Sequence, residues 1–144
     1  MGNMGFQYTD ALIFVSLAFY QGDVGTSLRD LFATADYINH AAPTAGDIEG
    51  AIYRLSRAGL VTVRDDSFYL TNAGRGLLRG IRAKNPALPQ AWKEAEECLH
   101  SSEFPQLTIT AYQLDPDKFH KAYHNYQSLS VITIKPKLNR NVFD

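Results

Sequence analysis

The chain has 144 residues, with 14 Lys+Arg against 15 Asp+Glu, a formal net charge of -1, 45% hydrophobic residues and one cysteine. That apolar content excludes a disordered chain, and the lone Cys98 excludes an internal disulfide framework and points to a reducing, cytoplasmic setting. No strong basicity announces nucleic acid, and the longest apolar run, residues 11–20, is shorter than the roughly 20 residues a membrane span needs and lacks the basic flank of a signal peptide.

Thr9 or Asp10 is placed to cap a first helix over residues 11–20. Leu12, Val15 and Phe19 make one apolar face of it and Ile13, Leu17 and Tyr20 another, the pattern of a helix buried nearly all round. After a Gly-containing loop over 21–25, Thr26-Ser27 opens a second helix on the stripe Leu28, Leu31, Phe32, Ala35 and Ile38. It ends before Pro43, because the residue preceding a proline is pushed away from helical angles. His40, near that end, is expected to steady the last turn through the final helical carbonyls. Thr44-x-x-Asp47 reads as a capping box with Asp in the usual Glu position, Ile48, Ala51, Ile52 and Leu55 share one face, and Gly59 stands where a left-handed cap belongs.

Leu60-Val61-Thr62-Val63 and Phe68-Tyr69-Leu70 read as two short strands joined by the four-residue turn Arg64-Asp65-Asp66-Ser67. Thr71 or Asn72 caps a helix reaching about residue 83; its Gly74, Gly76 and Gly80 each cost about 1 kcal/mol of propensity, so packing of Leu77, Leu78 and Ile81 has to hold it. Two prolines within 85–89 mark a linker, and a helix over about 90–101 follows. Residues 107–114 alternate in part like a strand, Asp115-Pro116 starts a helix with the stripe Phe119, Ala122, Tyr123 and Tyr126, and 130–135 read as a last strand before a tail.

Three helices, the third running straight into a hairpin and a fourth helix, is the order of a winged helix-turn-helix. Pro43-Thr44, Ile48, Leu55, Ala58-Gly59-Leu60-Val61, Phe68-Tyr69-Leu70-Thr71 and Gly74 together resemble the pattern of MarR-like and PadR-like winged-helix proteins, over about residues 8–84. The run 35–40 followed by Pro43-Thr44 is also similar to a group of small bacterial winged-helix proteins without an assigned activity. The resemblance implies that residues 44–58 correspond to the recognition helix and 62–68 to the wing, and that the protein is a homodimer.

Physical chemistry qualifies that transfer. A groove reader wants Arg, Lys, Asn, Gln, Ser or Thr near the start of its recognition helix, where this chain has Asp47 and Glu49, and the wing tip carries Asp65 and Asp66 beside Arg64. Against this, residues 27–84 hold eight basic and six acidic groups, a balance of +2, and Arg75, Arg79 and Arg82 are spaced to share one helical face, either as a phosphate track or as a solvated surface. Arg54 and Arg57 have two roles open to them, phosphate contact or pairing with acids such as Asp47 or Glu49.

Other chemistry finds less support. His120 and His124 have the i, i+4 spacing of a metal pair, but the chain has neither His-Glu-x-x-His nor Cys-x-x-Cys, so no metal site is expected. Cys98 is crowded by Glu94, Glu96 and Glu97, which oppose thiolate formation, and no phosphate loop, nucleophile elbow or dinucleotide fingerprint occurs. Neither an enzyme nor a cofactor is expected. Trp92, Phe104, Phe119, Tyr123 and Tyr126 suit a core or subunit interface better than a ligand pocket.

The expected fold is mainly α with a short β-hairpin wing. Residues 1–84 form the winged helix-turn-helix, and 85–144 a small α/β extension folded over it or onto a second subunit. Two functions stay open, a leading one and an alternative, in that order. One is a modest duplex-DNA binder and transcriptional regulator, with Thr44, Tyr53, Arg54 and Arg57 on the groove side and Arg64, Arg75, Arg79 and Arg82 assisting. The other is a protein-interaction module offering Asp47, Glu49, Asp65 and Asp66 to a basic partner.

Overall fold

The computed structural model describes residues 5–20, 25–82 and 87–129. In chain order these form α1 (Tyr8–Tyr20), β1 (Thr26–Ser27), α2 (Leu28–Asn39), α3 (Ala45–Arg57), β2 (Val61–Arg64), β3 (Ser67–Leu70), α4 (Asn72–Arg82), α5 (Leu88–Ser101) and α6 (Pro116–Leu129). The architecture is mainly helical, with one small antiparallel sheet in the order β1-β3-β2. The expected strand over 130–135 lies outside the described residues.

Helix α1 is the centre of the molecule. Leu12, Ile13, Phe14, Val15 and Leu17 are each at most 4% exposed, and α2, α3 and α5 pack around them. Fully burying a side chain of this kind contributes about 1.5–3 kcal/mol, so this helix, weak in amphipathic pattern, is held by tertiary contact. It begins three residues earlier than the apolar run suggests. Asp10 lies within its first turn, where its carboxylate accepts the Gln7 N–H at 2.8 Å, and neither Thr9 nor Asp10 is the cap residue.

Thr26 and Ser27 open α2 as expected but also form a two-residue strand, pairing with Phe68 and Ser67 of β3. Ser27 then caps α2, its hydroxyl accepting the Asp30 N–H at 3.1 Å. Every residue of the expected α2 stripe is buried. At the far end His40 is left-handed, with φ 61°, and its backbone N–H, not its exposed ring, closes onto the Asp36 carbonyl.

Helix α3 follows its sequence signals closely. Thr44 Oγ1 accepts the Asp47 N–H at 3.0 Å and Asp47 accepts the Thr44 N–H at 3.1 Å, a complete capping box. Ile48, Ala51, Ile52 and Leu55 are fully buried. Gly59 ends the turn at φ 80°, the left-handed angle that glycine adopts without a Cβ penalty, while the Leu60 N–H reaches back to the Leu55 carbonyl at 2.9 Å.

The hairpin turn is tighter than expected. Val61–Arg64 and Ser67–Leu70 pair up to Arg64↔Ser67, leaving only Asp65 and Asp66 as the loop, both at positive φ. Two left-handed loop residues describe a type I′ turn, whose twist matches that of the strands. Helix α4 is then locked against the end of α3: Thr71 Oγ1 donates to the Gly59 carbonyl at 2.6 Å and accepts the Gly74 N–H at 3.0 Å. A Cβ on Gly74 would collide with the Leu60 carbonyl oxygen, which explains a glycine where propensity argues against one.

The extension folds back on the rest. Helix α5, which starts two residues before the expected 90, packs on α1 and α4, with the Trp92 indole N–H donating to the Tyr8 carbonyl at 3.2 Å. Helix α6 packs on α2, where Phe119, Tyr123 and Tyr126 surround the Phe32 ring at 5.3–6.2 Å between centroids. The link between them, expected to hold a strand over 107–114, is irregular chain, because its backbone bonds individual groups on α3 and joins no sheet edge. No described helix is long and apolar enough to cross a membrane.

Candidate functional site

The outward side of α3 is where the sequence places its binding residues, and each of its ionic groups has a specific partner. Arg54 turns to one flank and grips Asp10 of α1 with two nitrogens, Nε to Oδ2 at 2.6 Å and Nη2 to Oδ1 at 2.9 Å. Asp10 is completely buried and the Arg54 side chain is 22% exposed. This bond, then the field of the same carboxylate, holds the guanidinium above its already high ordinary pKa, with burial opposing. The partner is therefore Asp10 of a distant helix, where the sequence suggests Asp47 or Glu49.

On the other flank Glu49 Oε2 accepts the Leu114 N–H at 2.6 Å, which anchors the α5–α6 link. The same link is pinned again at the end of α3, where the Leu107 N–H donates to the Arg57 carbonyl at 2.8 Å and Arg57 Nη2 to Gln106 Oε1 at 3.3 Å. Pro105 and Leu107 also rest near Gly59. Residues 105–114 thus run across the end and one side of α3, with Leu114 buried.

The remaining predicted residues are dispersed. Thr44 is exposed but committed to the capping box, and Tyr53 is half-buried. Arg64 is exposed and lies over the Tyr69 ring at 4.1 Å, a cation–π contact within the hairpin. On α4, Arg79 is exposed, whereas Arg75 is half-buried with its Nε lacking a hydrogen-bond partner; the Arg82 side chain lies outside the described set. Among the described residues no cluster of three His, Cys, Asp or Glu could hold a metal ion, and Cys98 is half-buried on α5.

The hairpin tip is tied to the extension as well. Lys118 of α6 bonds both oxygens of Asp66, at 2.9 and 3.0 Å, and Tyr112 packs edge-on against Phe68 at 5.7 Å. Sequence patterning missed these groups, although Asp115-Pro116 fixes the start of α6 and so the side on which Lys118 emerges.

Burial pushes the Tyr112 phenol up to about 12, and the negative charges of Asp66 and then Glu49 push in the same direction. Unfolded tyrosine ionises near 10, so the stability this shift supplies is complete below about pH 10 and is lost as pH rises towards 12. Urea midpoints of Tyr112→Phe should therefore fall less than those of the parent protein across that interval, and parallel pH profiles would refute the assignment.

No family model, curated protein or solved structure matches the chain.

Proposed function

We propose that residues 8–82 form a winged helix with the β2–β3 hairpin as its wing, and that it serves as a protein-interaction module and not as a major-groove reader. The observation that carries this is the occupancy of α3: Arg54 is clasped by buried Asp10, and the link through Gln106, Leu107 and Leu114 is bonded along its side. A helix with its side chains is about 10–12 Å across and the major groove about 12 Å wide, so a helix carrying a second layer of chain does not seat there. Asp47 in the first turn of α3 and exposed Asp65 in the hairpin loop suit a basic protein surface better than a phosphate backbone, while Asp66 is already paired with Lys118.

Duplex DNA is the second reading, favoured by solvent-facing Thr44, Arg64 and Arg79. Fluorescence anisotropy with a random duplex at low salt separates the two. No saturation is expected up to about 100 μM protein, at the weak edge of ordinary non-specific binding. A tighter complex that weakens steeply with salt and is lost in Arg64→Ala/Arg79→Ala would overturn the protein-interaction reading in favour of DNA.

A further inference from the structure

A half-open cavity of about 410 Å³ lies where four parts of the chain meet: the start of α2, the hairpin tip, the end of the α5–α6 link, and one side of α6. Its volume falls within the roughly 300–1,000 Å³ of small-molecule sites. Leu28, Leu114 and Ala122 give it an apolar wall, and the first two are buried in the core.

Three cations line it, Arg29, Lys118 and Lys121, against two acids, Asp66 and Asp115. Both acids have internal work: Asp66 holds Lys118 through both oxygens, and Asp115 Oδ1 accepts the Asp117 N–H at 2.9 Å. Among the described residues Arg29 has only its sequence neighbour Asp30, at 3.2 Å in a solvent-exposed pair of the kind that contributes little. Lys121 has no ion-pair partner among the described residues. Uncharged donors stand beside these cations. The Ser27 hydroxyl accepts the Asp30 N–H and keeps its own proton to give, the Tyr112 phenol stays protonated at neutral pH, and Asn125 offers an amide. Both α2 and α6 begin at this rim, adding the partial positive charge of their N-terminal ends.

We propose that this cavity binds a small organic anion, a carboxylate or a phosphate monoester with a compact apolar body, its charged group at Lys121 and Arg29 and its body against Leu28, Leu114 and Ala122. Because the walls come from α2, the hairpin and the extension, an occupant bridges these parts and strengthens the seating of α6. The site does not depend on whether α3 meets protein or DNA.

The test is a titration of the full ¹⁵N-labelled chain with phenyl phosphate, with 3-phenylpropionate and with neutral benzyl alcohol. At least one anion should saturate at low-millimolar concentration or below, shifting the amides of Ser27, Arg29, Tyr112 and Lys121, and the two anions distinguish which head group is preferred. Lys121→Ala should weaken that binding about tenfold, the scale of one charge-assisted hydrogen bond, while Lys93→Ala on α5 leaves it unchanged. Lys121 is exposed, so unchanged urea midpoints will show that its variant is folded. The site is refuted if neither anion saturates, if the alcohol binds equally well, or if Lys121→Ala binds like the parent.

Discussion

Phe32→Ala is expected to be the most damaging single truncation, lowering stability by about 3–5 kcal/mol, the usual cost of emptying a fully buried aromatic site. Phe32 is not only part of the α2 stripe. It is the ring on which α6 is seated: Phe119 and Tyr123 meet it edge-on, at 75° and 88°, and Tyr126 lies nearly parallel at 26°. Losing that ring removes the apolar seat and three ring pairs, each adding about 0.5–1.5 kcal/mol beyond area alone. The damage should therefore be uneven. Hydrogen exchange should show the amides of α6 losing protection first and furthest, with α1 and α3 retaining theirs until global unfolding. Tyr126→Phe supplies the comparison, because it keeps the ring and deletes only the hydroxyl that bonds Asp36, a loss of about 1 kcal/mol. Uniform loss of protection in Phe32→Ala would show that α6 is not the element this ring secures.

Legibility in the sequence follows how local each interaction is. The α3 capping box is spelled by two residues three positions apart, and its buried face by a helical period, so the helix appears at its true boundaries. Asp65-Asp66 hides a type I′ turn, because that turn is usually announced by Asn-Gly or Asp-Gly, and aspartate at two positive φ angles is a poor advertisement for it. Strand β1 is invisible for a different reason. Two residues carry no alternation, and Thr26-Ser27 has the composition of a helix cap, which Ser27 also is. An extension folded over the first 84 residues is legible from the apolar pattern, but the contacts by which it covers α3 are not. Glu49 is held by a backbone N–H 65 positions away, and backbone donors leave no mark in composition or periodicity. The cavity likewise depends on bringing Arg29, Tyr112 and Lys121 together from separate elements, so its charge is apparent only after folding. One long-range pair did leave a trace. A carboxylate at the head of a helix buried all round needs a cation, and Asp10 was such a carboxylate, though its neighbours also offered the simpler reading of a cap.

That pair yields the second large effect, and its two halves should not behave alike. Arg54→Leu leaves Asp10 fully buried with only the Gln7 N–H as a donor among the described residues, and is expected to cost about 3 kcal/mol, near the lower end for breaking a buried pair. Asp10→Asn is expected to cost less, about 1–2 kcal/mol, because Arg54 is already 22% exposed and can turn its guanidinium towards water. The double variant Asp10→Leu/Arg54→Leu should be more stable than Arg54→Leu alone, since it removes the stranded charge along with its partner. Urea midpoints of the three variants close this comparison, and an Arg54→Leu cost under about 1 kcal/mol would show that the contact does not anchor α3 to α1. The same variants bear on function. If α3 is a structural helix whose arginine serves Asp10, freeing Arg54 by Asp10→Asn should leave DNA affinity as weak as in the parent, because the link at Leu107 and Leu114 still lies along the helix. If instead Asp10→Asn creates salt-sensitive duplex binding, then this pair, and not the link, is what keeps α3 from the phosphate backbone.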